Sequence, residues 1–299
     1  MKKIRKNRKY SVNKATGGDA VLFCILALMA AAAIFPFYQV ILLSFSTVAS
    51  YAQHPLYLLP YAFDLSGYKT LLQDKAFYNS AGVTLFITLV GTLINMYLSV
   101  TGAYVLSRKH LMGRKFFLRM ITFTMLFGGG LIPTYIVVKG VGLTNTIWAM
   151  ILPSAISTYY LLIMKNYFVS LPDSLLEAAR LDGANEASIL VRIIVPISLP
   201  FMATFFLFYA VARWNEWYLA NLYVSNSKLH PLQTYLRNVL ISLNNTLSEE
   251  AKRTAGMQQV NNTAVQMATI VVATVPILCV YPFIQKHFVK GIMVGGIKE

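Results

Sequence analysis

Apolar residues run through this chain in long blocks rather than in the narrow stripes of a soluble helix bundle. Six blocks approach the roughly 20 apolar residues that a bilayer-crossing helix needs: 20–43, 81–106, 116–138, 146–167, 193–219 and 263–283. A helix that is apolar on every side belongs in lipid or in a core, so the pattern predicts an all-α, polytopic bundle of six transmembrane helices. Residues 1–19 then form a basic N-terminal tail, 20–283 the membrane domain and 284–299 a C-terminal tail. Two of the polar connections are long enough to hold structure. Tyr68 to Leu72 is helix-compatible, and Leu232, Leu236, Val239, Leu240 and Leu243 recur at helical spacing. Both segments read either as surface helices for a partner or as amphipathic caps on the bundle.

Glycine and proline interrupt the blocks at Pro36, Gly128 to Gly130, Pro133, Pro153 and Pro276. Such breaks are tolerated in membranes when neighbouring helices satisfy the freed backbone groups. The Gly128–Pro133 cluster predicts a bend in the third span or a close approach by a neighbour, with a pore-lining position as the alternative.

Charge orients the bundle. Seven of the 26 Lys and Arg residues fall in the first 14 positions, and Arg108, Lys109, Arg114, Lys115 and Arg119 form a second cluster. With 165–192 and 286–299 these regions hold 18 of the 26, which places both termini in the cytoplasm by the positive-inside rule. An even number of spans requires the same. The net charge of +15 would suggest nucleic acid on a soluble surface, but basic clusters at the ends of apolar blocks have the membrane explanation, and nucleic acid is not an expected partner. Composition agrees: of 299 residues, 57% are hydrophobic and only 12% charged, against about 25% charged in soluble domains. The first apolar block is longer than a signal-peptide core and reads as a retained anchor. Cys24 and Cys279 lie inside apolar blocks without metal or redox spacing and read as small buried hydrophobes.

Several chemistries are absent. There is no Gly-x4-Gly-Lys-Ser/Thr loop to cradle nucleotide phosphates and no His-Glu-x-x-His. The four histidines, His54, His110, His230 and His287, are scattered. A self-contained ion- or proton-coupled carrier would place acidic groups in its spans and show an inverted repeat; neither is evident. An intramembrane enzyme would need paired catalytic residues at depth, and these are missing. Only Arg213 and Glu216 approach the apolar interior, and three-residue spacing predicts that they pair, with Trp214 and Trp217 as interfacial anchors. Energy must come from another chain, so no cofactor is expected on this one.

The polar segment 170–192 is the most telling. Ser170 can cap a helix, with Pro172 in its first turn and Asp173 three residues after the cap. Leu171, Leu175 and Ala178 then share one face, and Asp173, Glu177 and Arg180 another. Gly183 suits a left-handed helix end, Asn185 can cap the next helix, and Pro196 predicts a kink. The result is two helices at an angle, one lying along the membrane surface.

The stretch EAARLDGANEASILVRIIVPISLP, with Asp182-Gly183-Ala184 and Pro200 in register, resembles the EAA signature of ABC importer permeases. It departs at Leu190, where relatives often carry Phe, and at Val195, where Leu is usual; both substitutes stay apolar. Trp214-Asn215-Glu216-Trp217, Tyr223-Val224-Ser225 and Pro231-Leu232-Gln233 look like the carbohydrate-uptake branch, and the tail 288–293 looks like the end of the maltose-permease G-type subunit. The resemblance implies a type I ABC importer fold in a bacterial cell membrane. It also implies a second permease subunit, two cytoplasmic ATPases carrying ATP and Mg, and an external sugar-binding protein, with lipid around the bundle. Glu177, Ala178, Ala179, Asp182, Gly183 and Pro196 would form the ATPase-coupling segment, with Glu177 as polar contact and Gly183 as bend. The cargo would be a sugar, with permeases for complex or acidic oligosaccharides as the nearest likeness. A sugar presents apolar C–H faces and hydroxyls, so Tyr135, Asn145, Trp148, Tyr159, Tyr160, Tyr209 and Asn215 are candidates for the substrate path, with spans four and five flanking it.

Overall fold

The computed structural model describes residues 17–47, 50, 53–54, 57–245 and 263–279. The two terminal tails, apart from residues 17–19, the similarity over 288–293, His287 and the end of the sixth block lie outside the described residues. Among the described residues the structure is helical, without strands. Helix α1 (Gly17–Ser44) is apolar on all sides, and none of its most apolar stretch is buried in the chain. Cys24 and Cys279 are both exposed. They are therefore not core residues: in a membrane domain, apolar positions face lipid as readily as protein.

Helix α2 (Ser66–Gln73) covers the helix-compatible segment 68–72 and leads into α3 (Lys75–Ser107). Asp74 caps α3 by accepting from the Ala76 N–H at 2.8 Å. Its 33 residues make it about 50 Å long, and it extends beyond the predicted span by a polar first turn. Its inner face is small and polar: Ser80, Thr84, Gly91, Thr92, Asn95, Ser99 and Ala103 are all buried. That face lets other helices approach closely.

The third predicted span is two helices, α4 (Arg114–Leu126) and α5 (Leu131–Gly140), which meet at 117°. This is a sharp reversal rather than a bend within one span. Gly130 makes it possible, because its φ of +86° is open only to glycine-like backbones. The fourth predicted span is also divided. Residues 147–150 and 152–154 form short 3-10 turns, and α6 (Thr158–Ser170) follows at 48° to them. Next come α7 (Asp173–Leu181) and α8 (Glu186–Ile197), the latter with a π-helical turn over Leu190–Ile194.

The fifth span is α9 (Leu199–Trp214), shorter than the block 193–219, and α8 meets it at 88°. The expected kink at Pro196 falls instead at Ser198, whose backbone φ and ψ are −90° and 3°. Pro200 has no N–H for the Pro196 carbonyl four residues back, so the helix parts between the two prolines. Helix α10 (Tyr218–Tyr223) follows, then α11 (Leu232–Asn245), which contains the predicted amphipathic segment. The described part of the last span is α12 (Thr263–Cys279).

The divided fourth span is held by Arg213 of α9. Its guanidinium donates to Asn95 Oδ1 (2.9 Å), to the Met150, Ile151 and Ser154 carbonyls and to Ser154 Oγ. Asn95 adds bonds from its amide to the Ser154 (3.0 Å) and Ala155 (2.7 Å) carbonyls. Pro153 cannot donate an N–H, so the helix ladder there is incomplete, and these two side chains supply the missing donors. The predicted Arg213–Glu216 pair does not form. Glu216 turns back to accept from the Leu219 N–H at 2.9 Å. The Trp214 indole N–H donates to the Ala273 carbonyl of α12 at 3.1 Å. Gly91 makes room for the clamp: a Cβ there would sit 3.2 Å from Arg213 Cδ and Nε.

Arg213→Ala leaves Asn95 Oδ1 and the Met150 and Ile151 carbonyls without their donor inside the bundle. It is expected to lower stability in detergent by about 3 kcal/mol or more. Asn95→Ala and Arg213→Ala should combine non-additively, because the two side chains bond each other and share the Ser154 carbonyl. Thermal unfolding of the single and double variants checks both statements.

Candidate functional site

Two places in the bundle concentrate unusual geometry. The first is the elbow between α7 and α8. The Gly183 N–H bonds the Arg180 carbonyl (3.0 Å), and the Ala184 N–H bonds the Ala179 carbonyl (2.9 Å). This is a Schellman helix end with Gly183 at the left-handed position, φ +80°. Asn185 caps α8 through its side chain to the Ser188 N–H at 2.8 Å. Gly183 as bend and Asn185 as cap therefore agree with the expectation from sequence.

One local expectation needs correction. Ser170 does not cap α7: it is the last residue of α6, and its hydroxyl donates to the Tyr167 carbonyl at 2.8 Å. Pro172 precedes the helix instead, so α7 starts at Asp173. The buried face of α7 is Leu176 and Ala179. Spacing groups Leu175 with Ala178 but does not say which stripe meets the bundle. Leu175, Ala178 and Leu181 turn outward, with Leu181 89% exposed. Glu177 and Asp182 are exposed beside them.

The elbow packs into the bundle through one apolar cluster. It joins Val100, Ala103 and Tyr104 of α3 and Met164 and Phe168 of α6 to Leu176, Ala179, Ile189 and Phe205. Polar ties run alongside. Lys109 Nζ meets Asp173 Oδ2 at 2.8 Å, and that hydrogen bond holds the Asp173 carboxyl below its ordinary range. A depressed carboxylate pKa makes this tie complete above the ordinary range and lost only as pH falls below it. Arg180 binds Glu186 Oε1 from across the glycine turn, and Tyr104 donates to Glu186 Oε2 at 2.6 Å. A cleft of about 370 Å³ lies between the end of α3 and the elbow, with Glu177 on its wall.

The second place is an apolar groove of about 630 Å³ between α3, α6, α9 and α12, lined among others by Thr88, Tyr160, Phe208, Trp214 and Asn215. Of the path candidates, Tyr160 and Asn215 line it. Tyr160 sits against Tyr209 and Phe208 with ring centroids 5.1 and 5.7 Å away. Tyr209 is buried behind, its hydroxyl bonded to Ser99 at 2.7 Å, and Tyr159 is exposed beside Tyr160. The other three lie elsewhere. Tyr135 stacks on Tyr223 at 5.8 Å, and Trp148 stands edge-on to Phe86. Asn145, at φ +59°, accepts from the Ser225 and Asn226 N–H groups and so latches two loops together.

Residues 99–294 match the family described as the binding-protein-dependent transport system inner membrane component. The chain belongs to that family. It is 42% identical over 280 residues to the polygalacturonan/rhamnogalacturonan transport system permease protein of Bacillus subtilis, covering 94% of this chain and 98% of the relative. It is 43% identical over 282 residues to Protein LplC of the same organism, covering 94% of each. A crystal structure of a bacterial ABC transporter that imports the acidic polysaccharide alginate contains a chain matching with TM-score 0.83 and 32% identity, over 91% of this chain and 98% of that one. The family member described here is thus a membrane-embedded transport permease of the type I ABC importer fold, and the ATPase of such importers is a separate subunit.

Sequence reasoning missed Asn95, Tyr104 and Glu186. Asn95 is a lone amide in an apolar block, and a buried amide and a buried cation in neighbouring spans seek each other; that signal was available. Tyr104 and Glu186 are far apart in sequence, and nothing local marks them as partners.

Gly183→Pro removes the N–H that bonds Arg180 and forbids the positive φ. Transport by the assembled importer should fall to background while α3 and α9 still pack, as read by vesicle uptake alongside thermal unfolding of the purified variant.

Proposed function

We propose that this chain imports oligosaccharides bearing uronic acids, as one of two permease subunits driven by a pair of ATPases on the cytoplasmic side. The elbow carries this reading. A Schellman-terminated helix presents Glu177 and an outward apolar face of Leu175, Ala178 and Leu181 at one end of the bundle. Small and apolar side chains permit close docking, and an exposed carboxylate offers a charge-assisted bond to a partner Arg or Lys. The coupling set is then Glu177, Ala178, Ala179, Asp182, Gly183 and Pro196, although Ala179 acts from the inner face, where it packs against the bundle.

The sequence contains no phosphate-binding loop, so ATP and Mg belong to the partner ATPase in this reading. The family description supports a solute-binding protein as the carrier that delivers the sugar. The charge pattern supports cytoplasmic termini. The similarity to permeases whose names specify polygalacturonan, rhamnogalacturonan and alginate supports an acidic cargo. Tyr160 and Asn215 supply a ring face and an amide in the groove where a sugar would pass.

Reconstituted with a second permease, the ATPases and a binding protein, the chain should take up radiolabelled oligogalacturonides only when ATP is inside with the ATPases. Uptake by this chain alone on a cation gradient would contradict the reading. Glu177→Lys reverses the docking charge and should reduce ATPase retention and uptake by about tenfold or more. Wild-type uptake in that variant would remove Glu177 from the coupling role.

A further inference from the structure

We infer that Glu186 is a positioning residue that fixes the angle of the elbow and ties it to α3. One carboxylate joins three elements here. Glu186 opens α8; its Oε1 accepts from Arg180 of α7 at 2.8 Å (Nη2) and 3.1 Å (Nε), across the Gly183 turn. Its Oε2 accepts from Tyr104 of α3 at 2.6 Å. Tyr104 is itself fixed: its ring is buried at 4% exposure, and the Arg108 guanidinium lies 4.3 Å above it.

The two oxygens do different work. The Arg180 bond closes the angle between α7 and α8, at the one place where a glycine with φ +80° leaves the backbone free to open. The Tyr104 bond anchors that closed unit to a helix that reaches across the bundle. Packing seats both helices on one cluster through Leu176, Ala179 and Ile189, but within the Asp182–Asn185 turn only Ala184 meets it, so the Arg180–Glu186 bond is the side-chain tie across the turn. The second polar tie, Lys109 to Asp173, holds α7 and does not reach α8. A push on the outward face of α7 therefore reaches α8 and α9 as a rigid movement only while Glu186 is bonded on both sides. Without it, the elbow flexes at Gly183 and absorbs the push.

This inference rests on the reading of the elbow as the ATPase-coupling element, and its test separates the two. In the reconstituted importer, Glu186→Ala should keep its ATPases through purification, because Glu177 and the outward face are untouched. Oligogalacturonide molecules transported per ATP hydrolysed should fall roughly 2- to 30-fold, the range seen for residues that carry coupling without touching a ligand. Tyr104→Phe should lower the same ratio by a smaller factor, and the double variant should be no worse than Glu186→Ala. Glu186→Gln keeps an oxygen that can accept from either partner and should recover part of the loss. A wild-type transport ratio in Glu186→Ala would overturn the proposal. Loss of the ATPases from that variant would also overturn it, by making Glu186 a docking contact, while the Glu177 reading would stand.

Discussion

The bundle depends on a buried cation whose hydrogen bonds all go to neutral groups. Arg213 is 4% exposed and gives all of its bonds to an amide, a hydroxyl and backbone carbonyls. A charge in such a place is costly unless its donors are fully used, and here they are. What the arrangement achieves is a membrane-depth segment, 147–155, that need not be an α-helix. Its carbonyls face Arg213 and Asn95 rather than lipid, which is the condition under which irregular backbone survives at that depth. Gly91 on α3 is the steric counterpart, since a side chain there would press on the guanidinium.

From that clamp the architecture follows along α3. Its small polar face meets α9 at Arg213 and Tyr209, receives the start of α11 through Thr84 to the Leu232 N–H at 2.7 Å, and ends against the elbow at Tyr104. The clamp, near the middle of α3, and the elbow, at its end, thus sit on a single rod. Between them, the apolar cluster around Phe168, Ile189 and Phe205 packs α3, α6, α8 and α9 into one unit. The aromatic groove opens on the flank of the same unit, next to α12. A rocking motion of this unit would change the exposure of the groove without breaking the clamp, which fits rigid-body alternating access.

The sequence made some of this legible and hid the rest for physical reasons. Block length marked where apolar helices lie, although among the described residues only α1 and α3 are each long enough to cross a membrane; the glycine and amide at 183 and 185 marked the elbow, because those signals are local. The direction of α7 was hidden: spacing defines stripes on a helix but not which stripe meets the bundle, and it is Leu176 and Ala179 that face inward. Glycine and proline marked the breaks near Gly130 and Pro153, but not how far the chain turns there, 117° and 48°. Arg213 drew attention as a charge near the interior, yet its partner is 118 residues away rather than three. Of the path candidates, only Tyr160 and Asn215 line the groove, because helix rotation is set by tertiary packing.

The central claim is that the outward face of α7 meets the ATPase, and proximity measures it most directly. Cysteine placed at Leu181, which is 89% exposed, in a chain with Cys24 and Cys279 changed to serine, is reacted with a short bifunctional maleimide in the assembled importer. A cysteine at Asn238, exposed near the far end of α3, serves as the control. The account predicts a crosslink from position 181 to the ATPase subunit and none from position 238. A crosslink from 238 and none from 181 would contradict it.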